Sequence, residues 1–134
     1  MPSATPKNLL LTGFVPTVAV PAAMHEQYGT AEEIGAKVQA DHERIRNAGI
    51  DVVTFLFDPF EEKALDKFDS LLREGNYDAI GIGAGVRVHP DHVALFETMV
   101  NMCGKAAPGI PLLFNDGPGG SVATLERVFK IQIP

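Results

Sequence analysis

Four short apolar runs, bounded by glycines, prolines or helix-start signals, set what this chain can fold into. They are Asn8–Thr12 (NLLLT), Asp51–Phe57 (DVVTFLF), Tyr77–Ile82 and Pro111–Asn115 (PLLFN). Near-continuous apolar runs of this length read as strands buried on both faces, the habit of parallel sheets. The stretches between them carry helical signals. Thr30-Ala-Glu-Glu33 is a capping box, Ile34, Val38, Ile45 and Ala48 recur at helical spacing, and Gly49 ends the segment. Asp58-Pro59-Phe60-Glu61 repeats the start signal, Leu65, Phe68, Leu71 and Leu72 form the apolar stripe behind it, and Gly75 closes it. Pro90 opens a third helix running to about Cys103, with Gly104 behind it, and residues 121–129 form a short fourth. The tail, Lys130-Ile-Gln-Ile-Pro134, alternates polar and apolar and is a candidate edge strand.

This alternation predicts a three-layer α/β/α sandwich over residues 1–134, with helices on both faces of a parallel sheet of four strands, or five with the tail. Right-handed crossovers make the flavodoxin-like order 2-1-3-4 the most economical. The length suits one domain, and 46% hydrophobic against 21% charged residues excludes a disordered chain. The net charge of −6 and the scattered basic residues argue against nucleic acid, which needs clustered Lys and Arg. No apolar run approaches the ~18 residues of a membrane span. Cys103 is the only cysteine, which excludes an intramolecular disulfide; with no secretory segment evident, the expectation is a cytoplasmic protein.

Ligands of such folds lie outside the carboxyl ends of the strands, where strand order reverses. Here that crevice falls between the first and third strands. One wall is the long segment from Gly13 to Gly29, too apolar for a solvated linker with Phe14, Val15, Val18, Val20, Met24 and Tyr28. It reads either as a lid carrying Thr17, His25 and Glu26 or as an arm covering the sheet end or another subunit. The other wall is Gly81-Ile-Gly-Ala-Gly-Val-Arg-Val-His89, where glycines admit a ligand to the backbone, Arg87 supplies a charge, and the helix start at Pro90 offers free N–H groups. The competing reading is that the glycines serve close packing and Arg87 pairs with a surface acid.

Asn115 and Asp116 follow the fourth strand, ahead of the Gly-rich turn before Ser121, where an acid could act or a helix could be capped. The candidate ligand-binding set is therefore Gly13, Thr17, Gly83, Gly85, Arg87, His89, Asn115 and Asp116, for a small anionic ligand. No catalytic residue, cofactor or metal is assigned. His89, Asp91 and His92 with His25 and Glu26 are a conceivable metal set, but a polar helix start explains the first three more simply. Cys103 lies on an apolar arc and reads as structural.

The alternative is a homodimer or higher homo-oligomer without catalytic activity. In the third helix, Val93, Phe96, Val100 and Cys103 can face the sheet, leaving Leu95, Met99 and Met102 on an exposed flank, and Ile131 and Ile133 add surface without an evident partner.

The whole pattern resembles the flavodoxin-like and response-regulator-like folds. Their working residues are not carried over: Thr12-Gly13-Phe14 and Gly83-Ala84-Gly85 stand where a receiver domain has its acids, and Phe14-Val-Pro-Thr-Val18 does not match a flavin phosphate loop. Leu10-Leu-Thr-Gly-Phe14 is similar to the start of pyroglutamyl peptidases, without counterparts of their catalytic Glu, Cys and His. Ile82-Gly-Ala-Gly-Val-Arg87, Leu95-Phe-Glu97 and Leu113-Phe-Asn115 together resemble a family of small flavodoxin-like α/β proteins with no assigned activity, a resemblance that implies fold and no mechanism.

Overall fold

The computed structural model describes residues 5–17 and 26–134. In chain order it contains β1 (Asn8–Phe14), α1 (Ala31–Asn47), β2 (Asp51–Phe57), α2 (Ala64–Glu74), β3 (Ala79–Ile82) and α3 (Ala84–Val88). A 3-10 turn (Pro90–His92), α4 (Val93–Ala106), β4 (Leu112–Phe114) and α5 (Ser121–Phe129) complete it. The four strands form one sheet in the order β2-β1-β3-β4, and all three pairings are parallel. This is the predicted order and architecture.

Side chains alternate across the sheet and so feed two cores. Leu10, Ile80 and Ile82 point to the face covered by α2 and α4, where they meet Phe68, Leu72, Met99 and Cys103. Leu9, Leu11, Ala79 and Leu113 point to the other face, against Ile45 of α1 and Val122 and Leu125 of α5. The first helix starts as read: Thr30 Oγ1 accepts from the Glu33 N–H at 3.2 Å, and Glu33 accepts from the Thr30 N–H at 3.3 Å.

Four local expectations need correction. Asp58 accepts from the Phe60 N–H at 2.8 Å, but the chain continues through i→i+3 bonds, Glu61 to Asp58 and Ala64 to Glu61, so α2 begins only at Ala64. The segment after β3 is not merely a glycine-terminated strand end. It turns into α3, because Asn115 Oδ1 accepts from the Ala84 N–H at 2.9 Å and Val86 is fully buried. Helix α4 runs through Gly104 to Ala106, and the left-handed glycine comes later, at Gly109. The tail is not a strand. Lys130 adopts a left-handed conformation and Arg44 donates to the carbonyls of Ile133 and Pro134 at 3.0 Å each. The Ile133 N–H is held by Glu126 at 3.0 Å and its side chain is buried in the α1/α5 core.

The apolar flank expected to lie exposed is therefore largely covered within the chain. Met99 is 0% exposed and faces the sheet with Cys103, whereas Val93 is exposed. Ile131 and Ile133 pack within the chain. Among the described residues, the large apolar side chains left exposed are Val53, Phe60, Val88 and Val93, with Phe60 at 78%. Met99→Ala is expected to lower the stability measured by urea denaturation by about 2–5 kcal/mol, as for other core truncations. Val93→Ala should change it by less than ~0.5 kcal/mol. Equal effects would contradict this placement of the helix.

Candidate ligand-binding cavity

The alternation that fills both cores fails at one place. On the α1/α5 face, the positions following Leu11 and Ala79 are Gly13, Gly81 and Gly83, so the carboxyl ends of β1 and β3 present little side-chain volume there. Gly81 is necessary for packing, since an added Cβ would lie 2.8 Å from Leu11 Cδ2. Gly83 lies against the β1 backbone, its Cβ position 3.1 Å from the Thr12 carbonyl oxygen. Gly13 is different: a Cβ there would meet only Leu56 Cδ2 at 3.7 Å and the Gly83 Cα at 3.9 Å, ordinary contacts. The space left is a cavity of about 120 Å³, bounded by the sheet, α1, α5 and both ends of the long segment after β1.

Its walls are mainly apolar: Phe14, Val15 and Pro16 from the end of β1 and beyond, Tyr28, Ile34 and Val38 from the approach to α1 and α1 itself, and Leu56 from β2. Tyr28 is fixed by its hydroxyl, which donates to the Asp116 carbonyl at 3.0 Å, and its ring lies where a side chain at Gly117 would be, 2.6 Å from that Cβ position. The polar lining comes from Thr12, Asp41, His42, Asn115, Ser121 and Thr124.

Asp41 organises this polar set. It is buried on α1, and its two carboxylate oxygens accept from the backbone N–H groups of Ser121 at 2.8 Å and Val122 at 3.1 Å. A helix N-terminus exposes such N–H groups and favours negative charge. The anion at α5 is thus a side chain of the protein itself. His42, its neighbour, places Nδ1 2.8 Å from Thr54 Oγ1, and Arg46 Nη2 donates to the same hydroxyl at 3.1 Å. Burial lowers the His42 pKa from its usual 6.5, with Asp41 opposing and Arg46 assisting, so the ring is neutral at pH 7. Asp41, His42 and Ser121 share the cavity but do not form a nucleophilic relay. Asp41 bonds to backbone amides, His42 bonds to Thr54, and no hydrogen bond among the described residues links His42 to Ser121.

The sequence-derived candidates divide. Gly13, Gly83, Gly85 and Asn115 line the cavity. Asp116 does not; its carbonyl anchors Tyr28. Thr17 is exposed and outside the lining. Arg87 also lies outside it, donating from Nη2 to the Asn115 carbonyl at 2.6 Å rather than pairing with an acid, while its Nε is sealed without a partner. His89 is buried elsewhere: Nδ1 accepts from the Asp91 N–H at 3.1 Å and its ring lies 4.7 Å from that of His92. His92 in turn meets Phe14 at 4.8 Å, and burial with His89 nearby lowers its pKa. His25 lies outside the described residues, as do Val18, Val20 and Met24 of the expected lid or arm; Glu26 is exposed. Among the described residues no three His, Cys, Asp or Glu side chains are grouped to hold a metal ion. Burial pushes the Cys103 thiol up to about 11, so it is not an ionised nucleophile at neutral pH.

Asp41, His42, Ser121 and Thr124 were absent from the sequence-derived set. Asp41 had a readable signal, because it falls between Val38 and Ile45 on the apolar stripe of α1. A carboxylate there must find a buried partner. No protein-family model matches the chain, and comparison with curated proteins finds no match.

His42 and His92 both have lowered native pKa values against 6.5 for the unfolded chain. As pH falls through 6.5 the unfolded state takes up protons first, so stability falls toward the native pKa values and these groups contribute no penalty well above 6.5. The urea midpoint is expected to drop between about pH 7.5 and 5.5, and His42→Gln should make the drop smaller. Superimposable pH profiles for the two proteins would contradict the buried, neutral His42.

Proposed function

We propose that this protein binds a small molecule in the cavity at the carboxyl end of its sheet. The observation that carries the reading is the cavity itself: a formed space of about 120 Å³ at the point of strand-order reversal, apolar in its walls with a few polar groups on one side. An apolar cavity of ~150 Å³ accommodates benzene, so a ligand of roughly five or six heavy atoms in its buried part suits this one.

The charge of the lining narrows the class. No Lys or Arg is among the described lining residues, and the free amides of α5 already hold Asp41. Arg87, the cation expected at the crevice, is turned to a backbone carbonyl outside it. This supports a neutral, mainly apolar ligand over the anion suggested by the glycines and Arg87. The reading is one of binding without catalysis, because the hydroxyl, imidazole and carboxylate that share the cavity are not connected as an acid–base relay.

Gly13→Val tests it. The glycine has no positive φ that would exclude a side chain, and its Cβ position is free of close contacts. The variant should fold with an unchanged circular dichroism spectrum and fill the cavity. In saturation-transfer NMR with a library of small neutral ring compounds, hits seen with the wild type should disappear with Gly13→Val. Hits that bind both proteins equally would place binding elsewhere, and the proposal would fall.

A further inference from the structure

The polar side of the cavity has a sense of direction. Thr12 Oγ1 donates to the Gly81 carbonyl at 2.8 Å, and Thr124 Oγ1 to the Gly120 carbonyl at 2.9 Å. A hydroxyl has one proton, so these two offer only lone pairs. Asn115 is the reverse. Its Oδ1 must face the Ala84 N–H, 2.9 Å away, and this orients the amide so that Nδ2, with two protons, is the group left over. The Ser121 hydroxyl has no hydrogen-bond partner among the described residues, nor has Asn115 Nδ2. Neither is sealed in, because Arg87 Nε is the single fully buried side-chain polar atom without a partner among those residues.

The two unpartnered donors belong to one turn. Asn115 follows β4 and Ser121 opens α5, and between them Gly120 folds back until its Cβ position is 3.1 Å from Asn115 Cβ. Both residues line the cavity. Asp41 lines it as well, and its negative charge sits on the same turn through Ser121 N and Val122 N. A carboxylate ligand would meet that charge with no Lys or Arg among the described lining residues to compensate it, whereas a neutral acceptor oxygen carries no such penalty.

We infer that the cavity selects a small neutral carbonyl compound, a ketone, ester or amide, whose oxygen accepts from Asn115 Nδ2 and Ser121 Oγ while its apolar body lies against Val38 and Leu56. This rests on the cavity being the ligand site and adds the chemical class it recognises. Asn115 is then the specificity-determining residue in two ways: one amide atom starts α3, and the other reads the ligand. Ser121 supplies the second donor from the end of the helix that Asp41 holds.

The test is a titration followed by ¹H–¹⁵N NMR with three probes: cyclopentanone, its hydrocarbon isostere methylenecyclopentane, and cyclopentanecarboxylate. The readout is the ratio of ketone to hydrocarbon affinity in each protein, which cancels the common apolar contribution. Ser121→Ala and Asn115→Asp should each lower that ratio by about fivefold, the factor associated with one neutral hydrogen bond. Asn115→Asp keeps an acceptor for the Ala84 N–H, so loss of α3 does not confound it, and a dispersed spectrum verifies the fold. An unchanged ratio in both variants, with shifts still centred on Gly13, Gly81 and Gly83, overturns carbonyl recognition and leaves the cavity as a binding site. Tightest binding by the carboxylate overturns the neutral class. No shift at those glycines with any probe removes the carbonyl inference together with the cavity reading.

Discussion

A single carboxylate joins the two helices on one face of this sheet. Asp41 comes from the middle of α1 and satisfies two amides at the start of α5, across 80 and 81 residues of chain. A buried charge is tolerated only when hydrogen-bonded, and buried amides only when accepted, so each side of the contact removes the other's penalty. The consequences are geometric and electrostatic. The helices are held at a fixed separation over the carboxyl ends of β1, β3 and β4, and the positive end of α5 is neutralised before any ligand arrives.

That fixed separation becomes a cavity because of what the sheet lacks beneath it. Leu9 and Leu11 fill the layer nearer the amino ends, with Ala79 and Leu113 beside them. Gly81 lies in that same layer, between Leu11 and Leu113; beyond it come Gly13 and Gly83, and a helix pair held by Asp41 cannot settle into the missing volume. On the opposite face the same strands present Leu10, Ile80 and Ile82 to α2 and α4, and the layer closes around Phe68 and Met99. One sheet thus has a filled side and an open one, distinguished at the strand ends by Gly13 and Gly83.

The strand order, the helix-bounding signals of α1 and the position of α5 were legible because they are local. Apolar runs, a capping box and a glycine after a helix act within a few residues. What escaped depends on distant partners. Helix α3 starts where it does because an asparagine 31 residues later accepts from Ala84, which no pattern in Gly83–Val88 reveals. The tail alternates like a strand but is captured by Arg44 and Glu126. In α4 a broad apolar arc fits more than one rotation, and burial of Met99 rather than Val93 is decided by packing against α2 and the sheet. At the site, the glycines and Asn115 were visible as strand-end residues. Arg87 and His89 were drawn in by proximity in sequence, yet α3 carries them away from the cavity. Asp41 and His42 escaped because the groups that give them a role, the Ser121 and Val122 amides and the Thr54 hydroxyl, are distant in sequence.

The central claim is that a formed, largely apolar cavity stands over the glycine-lined ends of β1 and β3. Crystallography under xenon pressure addresses it without any assumption about the natural ligand, since xenon enters apolar cavities of this kind. The account predicts a xenon atom between Gly13, Val38 and Leu56 in the wild-type protein and none in Gly13→Val. An empty site in the wild type at saturating pressure, with Ile34 or Phe14 collapsed onto the glycines, would contradict it.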